Sequence, residues 1–141
     1  MLCRDLMKTE LECVSPADTV EEAAGRMRDE NLGFLPVCDQ SKKVLGTITD
    51  RDLAIRIVAS AKPASTLVED AMTREVVSCR PEDDLQRAQQ LMAKNHKSRI
   101  MCLDKSGYLV GVISLSDIVQ QEQGASAAET LRKVSEREAR T

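Results

Sequence analysis

The chain has 141 residues, 42% hydrophobic and 30% charged, with 20 basic and 23 acidic side chains and a net charge of −3. A chain this long can bury a core without disulfide staples, and its charge balance lacks the basic excess expected of a nucleic-acid partner. No apolar run approaches a membrane span and no charged-then-apolar signal segment opens the sequence, so the expectation is a cytoplasmic protein with no membrane partner.

Side-chain chemistry narrows the field further. The aromatic residues are Phe34 and Tyr108, so the core must be aliphatic and Met-rich, and a bound base would be sandwiched by aliphatic groups. The five cysteines (Cys3, Cys13, Cys38, Cys79 and Cys102) are odd in number and form no C-x-x-C pair. Neither a disulfide framework nor a metal site is expected of them. His96 is the single histidine, which leaves little material for a His-rich metal site or a Ser-His-Asp triad; no catalytic residue is assigned.

In chain order, a helical turn (3–7) leads to a brief strand (11–14) and a turn at Pro16. Thr19 and Glu22 then form a capping box for a helix with Val20, Ala23, Ala24 and Met27 on one face. Strands at 34–38 and 44–49 follow, joined through Asp39-Gln40-Ser41-Lys42, which carries turn chemistry. Gly46-Thr47-Ile48-Thr49-Asp50-Arg51-Asp52 closes the second strand and opens another helix. After a short linker (59–65) the series recurs: helical turn (67–72), strand (76–79), and a helix capped by Asp83 or Asp84 with Leu85, Ala88, Leu91 and Met92 on its face. A hairpin (100–103 to 109–114) then ends in Gly111-Val112-Ile113-Ser114-Leu115-Ser116-Asp117.

The recurrence is an internal repeat. Sliding 2–53 onto 67–118 needs no gap and gives 13 identical pairs of 52, among them Met7/Met72, Pro16/Pro81, Met27/Met92, Gly46/Gly111 and Asp52/Asp117. The expected class is α/β (α+β): two repeats (1–58 and 66–122), each with a three-stranded sheet and flanking helices, packed with pseudo-twofold symmetry. Met7, Met27, Met72 and Met92 are expected in the core. His96 and Lys97 are expected on an exposed loop after their helix. The tail (123–141) is read as a helix broken from the repeat at Gly124, capped at Ser126 and frayed beyond Ser135. It either packs on a partner subunit or is disordered.

The repeated motif has two readings. A hydroxyl residue three positions before an acid is the spacing of a capping box. A helix start also offers unpaired N–H groups and partial positive charge to a phosphate, and an outward-turned Asp beside it could accept two hydrogen bonds from ribose hydroxyls. Duplication of the motif within a larger repeat favours the second reading.

The tandem helix–strand–helix–strand–strand–helix order, with a Pro after each first strand and a G-x-x-[ST]-x-x-D ending, resembles a pair of CBS domains (a Bateman module) over roughly residues 1–122. The resemblance implies a regulatory module whose inter-repeat cleft binds AMP, ADP, ATP or S-adenosylmethionine, with Mg²⁺ as the companion of ATP. It implies Asp52 with Thr49, and Asp117 with Ser114, at the ribose. It implies Arg99 at a phosphate, with Phe34 in the equivalent place and Arg51 beside the other motif. It further implies a homodimer, and a regulated partner acted on in trans. A nucleotide-free dimerisation or protein-interaction module is the alternative, and an enzyme is not expected.

Overall fold

The computed structural model describes residues 1–121 and 125–139. Its elements are α1 (Cys3–Leu6), α2 (Val20–Glu30), β1 (Phe34–Cys38), β2 (Val44–Thr49), α3 (Asp50–Asp52), β3 (Ser78–Cys79), α4 (Leu85–Asn95), β4 (Arg99–Leu103), β5 (Leu109–Ser114), α5 (Leu115–Gln121) and α6 (Ala125–Ala139). A π-helical stretch, Leu53–Val58, continues α3. No helix among the described residues is long and apolar enough to cross a membrane.

Local chemistry accounts for these elements. Thr19 Oγ1 accepts the Glu22 N–H at 3.1 Å to start α2. Asp84, the second of the two candidate caps, accepts from Gln86 N at 2.9 Å to start α4. Both helices stop at a left-handed residue, Asn31 and His96, each at φ 54° and at equivalent places in the repeat. The hairpins pair Phe34 with Thr49 and Arg99 with Ser114 at their open ends. At their tips, Lys42 (φ 69°) and Gly107 (φ 87°) stand at equivalent positions.

The folded units cut across the sequence repeats. The first unit is Glu12–Val76; the second combines Met1–Leu11 with the chain from Val77 onward. Each repeat has thus exchanged its leading segment. Lys8 bridges Val112 on β5 in the second unit, while the equivalent Thr73 bridges Thr47 on β2 in the first. Leu2 bridges Asp84, and Leu67 bridges Thr19, in the same relation.

The repeated glycines make room for these segments. A Cβ on Gly46 would strike the Thr73 carbonyl oxygen and the Met72 methyl, and one on Gly111 would strike the Met7 side chain. Repetition of Gly46/Gly111 and of Met7/Met72 is therefore one fact seen twice, a notch and the group that fills it. Met27, Met72 and Met92 are buried, and Met7 packs against its unit's core as expected.

Crossing between units also explains where the sheets fall short. The sequence suggests a strand at 11–14, but residues through Leu11 belong to the second unit, so only Val14 is left to pair, in parallel with Val37. The first unit accordingly has a two-stranded sheet flanked by isolated bridges, Val14 on β1 and Thr73 on β2, not three full strands. In the second unit β3 pairs in parallel with β4, giving the order β3-β4-β5. Aliphatic cores fill both units: Val14, Leu35, Ile48, Ile57 and Val68 in the first; Leu85, Ile100, Ile113 and Ile118 in the second.

The tail departs from expectation. The break expected at Gly124 lies outside the described residues. The helix beyond it starts at Ala125, ahead of the Ser126 cap read from the sequence, and continues past Ser135 to Ala139. It packs on α4 and α5 of its own unit, with Val134 6% exposed in the core. A thin apolar stripe suffices because α4 supplies the other half of the contact.

Candidate functional site

The two motifs have the same skeleton. In the first unit the Asp52 N–H bonds Thr49 Oγ1 at 3.1 Å, while Asp52 Oδ2 accepts the Thr49 N–H at 3.0 Å. In the second the Asp117 N–H bonds Ser114 Oγ at 3.2 Å, and Asp117 Oδ2 accepts the Ser114 N–H at 3.4 Å. Both copies are thus complete capping boxes. The two readings of the motif do not compete: the cap engages one oxygen of each carboxylate, and its partner Oδ1 faces elsewhere. The carboxylate is not simply turned outward.

What meets Oδ1 comes from the exchanged segments. Thr73 donates its hydroxyl to Asp52 Oδ1 at 3.2 Å, and Lys8 Nζ stands 3.5 Å from Asp117 Oδ1. Lys8 and Thr73 are repeat-equivalent, so each motif carboxylate receives a donor from one structural position. Both carboxylates are sheltered, at 12% and 16% exposure for Asp52 and Asp117, whereas Lys8 is 71% exposed. Arg56 adds a second cation beside Asp52, with Nε 3.8 Å from Oδ1. Its Nη1 donates to the Met72 carbonyl at 2.6 Å, which ties the incoming segment to the helix.

The remaining sequence-predicted residues divide. Arg99 opens β4 directly opposite Ser114. The preceding Ser98 accepts the first amide of α5, Leu115 N–H, at 2.8 Å. Arg99 therefore stands at the motif, and its guanidinium has no hydrogen-bond or ion-pair partner among the described residues. Phe34 occupies the matching place opposite Thr49. Arg51 is exposed beside Asp52. The structure therefore brings Thr49 with Asp52, and Ser114 with Asp117 and Arg99, each within its own unit.

Sequence reasoning missed Lys8, Thr73 and Arg56. The only signal for the first two was their equivalence in the repeat. Also missed was the role of His96, which does not lie on a free loop. Its Nδ1 stands 2.8 Å from the Lys133 carbonyl of α6. A carbonyl can only accept, so the proton is on Nδ1. A shallow groove of about 480 Å³ lies between α4 and α6, lined by Lys94, His96, Glu129, Lys133 and Glu136.

Paired α/β units ending in duplicated hydroxyl–aspartate caps define a small class of modules, and comparison with known proteins agrees. The CBS domain model matches residues 3–59 and 68–124. The chain belongs to the CBS-domain family, as a tandem pair. It is 38% identical over 133 residues to the CBS domain-containing protein YhcV of Bacillus subtilis, covering 94% of each chain. It is 35% identical over 115 residues to inosine-5'-monophosphate dehydrogenase of Methanocaldococcus jannaschii, covering 82% of this chain but 22% of that enzyme. Among solved structures it is similar to the CBS domain pair of protein MJ0100 in complex with 5'-methylthioadenosine and S-adenosyl-L-methionine. That likeness has a TM-score of 0.77 and 25% identity, over 86% of this chain and 94% of the other.

Proposed function

We propose that this chain is a regulatory module that binds an adenosine-containing ligand (AMP, ADP, ATP or S-adenosylmethionine) and passes its state to a partner protein in trans. The observation that carries the reading is the arrangement at Oδ1. Each motif presents a sheltered carboxylate oxygen, left over from the cap, to which Thr73 donates in one copy and with which Lys8 forms an ion pair in the other. A ribose diol offers the same kind of donors. Thr49 with Asp52, and Ser114 with Asp117, hold the ribose, while Arg99 and Arg51 receive phosphate. Mg²⁺ would accompany ATP. The similar MJ0100 pair, solved with two adenosine derivatives, supports the ligand class.

The phosphate end distinguishes the two motifs. Arg99 is partnerless among the described residues, whereas Phe34 in the matching place has no charge to give. The motif on Asp117 therefore suits a phosphorylated nucleotide, and the one on Asp52 relies on Arg51. In this reading the chain acts as a homodimer, and ligand shifts it only by binding two arrangements unequally. The motif aspartates have a binding role and no catalytic one.

Calorimetric titration with the four ligands tests the reading. Asp117→Asn is the informative variant, because an amide oxygen still accepts the Ser114 N–H while the charge is lost. A hydrogen bond to a charged group contributes about 1.5–3 kcal/mol, so affinity should fall roughly tenfold to a hundredfold. Micromolar affinity needs about −8 kcal/mol in all, which ribose, phosphate and base must supply together. Absence of saturable binding by all four ligands would sink the proposal. A nucleotide-free dimerisation or interaction module would then stand, and the completeness of both capping boxes, which gives each aspartate a structural purpose, is the observation that favours it.

A further inference from the structure

Two of the five thiols lie outside everything described above. Cys13 immediately precedes the bridged Val14, and Cys38 closes β1. Their Sγ atoms are 3.5 Å apart, with the Cys38 S–H donating to Cys13. Cys38 is buried, whereas Cys13 is only partly so. Positive charge converges on Cys13. Arg26 Nη1 donates to its carbonyl oxygen at 2.6 Å, and Lys42 adds to the local potential, against Glu12.

The consequences for the two sulfurs are opposite. The hydrogen bond from Cys38, with Lys42 and Arg26 behind it, lowers Cys13 from the ordinary 9.0 to about 7. The same bond, together with burial and the nearby Asp39, pushes the donor Cys38 up. A partly buried thiolate against a protonated, sheltered thiol is the arrangement of an attacking and a resolving cysteine.

We propose that Cys13 and Cys38 form an oxidant-sensing dithiol that a hydroperoxide converts into an intramolecular disulfide. The Cys13 thiolate attacks one peroxide oxygen; the O–O bond breaks, a sulfenic acid forms and hydroxide departs. The Cys38 sulfur then attacks the Cys13 sulfur. The S–O bond breaks, and the hydroxyl leaves as water with the Cys38 proton. With hydrogen peroxide, two thiols and one peroxide give one disulfide and two waters. The sulfurs must close from 3.5 Å to about 2.05 Å. The product covalently fixes the segment ahead of Val14 to β1.

The other three thiols form an internal control. Cys79 lies 3.7 Å from Cys3 and 3.6 Å from Cys102, equally close. All three are buried, with Cys79 pushed up to about 12 by its hydrogen bond with Cys102 and by burial. Proximity without access should leave them reduced.

Peptide mapping decides the matter. The native protein is treated with hydrogen peroxide, alkylated, unfolded, alkylated again with a mass-distinguishable reagent and digested. The expected result is a Cys13–Cys38 cross-linked peptide, lighter by two hydrogens, with Cys3, Cys79 and Cys102 labelled only after unfolding. In Cys38→Ser, dimedone should trap a sulfenic acid on Cys13. Oxidation of the buried three ahead of Cys13, or a Cys13 that stays reduced or passes to sulfinic acid without cross-linking, overturns the proposal. Should Cys38→Ser fail to fold, the wild-type map is decisive by itself.

Discussion

At the scale of single residues, the structure separates what a group does for the fold from what it offers a ligand. Thr49 caps the helix that Asp50 opens, accepting the Asp52 N–H. Thr49→Ala should therefore cost about 1 kcal/mol in ligand-free urea denaturation, and Thr49→Ser should restore most of it. Lys8 is the contrary case. Its ion pair to Asp117 is 3.5 Å long and Lys8 itself is 71% exposed, so solvent screens it and Lys8→Ala should change stability by less than about 1 kcal/mol. Cys13 gives a pH signature. With its thiol lowered to about 7, alkylation should be half-maximal near there, fall away in acid and saturate well below pH 9. Cys38, Lys42 and Arg26 favour its thiolate, while burial and Glu12 oppose it. Cys38→Ala removes the S–H donor and should move the alkylation midpoint upward.

At the scale of elements, much was legible because it is written in local chemistry. Both hairpins, the Thr19 and Asp84 caps and the motif-led helices follow from turn residues, alternation and capping spacings. The short first strands were not, because their lengths depend on where the chain passes from one unit to the other. Nor was the π-helical stretch after Asp52, whereas α5 is α-helical through Gln121. The destination of the tail was equally hidden, since a stripe of Leu131 and Val134 does not say which surface it meets. The site was half legible: Asp52 and Asp117 could be read from a repeated spacing, but Lys8 reaches Asp117 only through the fold. Gly46→Ala should destabilise more than Gly111→Ala, because the first meets a backbone carbonyl and the second only the flexible Met7 side chain. Overpacking costs typically about 1–3 kcal/mol, and comparison of urea midpoints would rank the two. Val134→Asp should lower stability by about 2 kcal/mol or more by burying a charge in the core beneath α6.

At the scale of the whole molecule, contacts join parts of the chain that are far apart in sequence. Cys3 reaches the carbonyl of Asp84 from 81 residues away. Such contacts delay folding, because loop closure must precede their reward. Removing residues 1–8 should uncover the edge of β5 and leave the Gly111 notch empty, so hydrogen exchange should quicken first in β4, β5 and α4. A saturating nucleotide gives a second readout. At a hundred times its dissociation constant, a ligand bound only by the folded state adds about 2.7 kcal/mol, which should appear as a higher melting temperature.

The exchanged segments also bear on ancestry. A lone ancestral repeat would have carried both a notch and the strap to fill one, yet in this fold each strap lies on the other copy's sheet. Two such chains could have completed themselves by trading straps. Tandem duplication would then have converted a concentration-dependent trade between strangers into a settled arrangement within one polypeptide. It would also have freed the copies to diverge, as Arg99 and Phe34 have done, without either losing its fit to the other's strap.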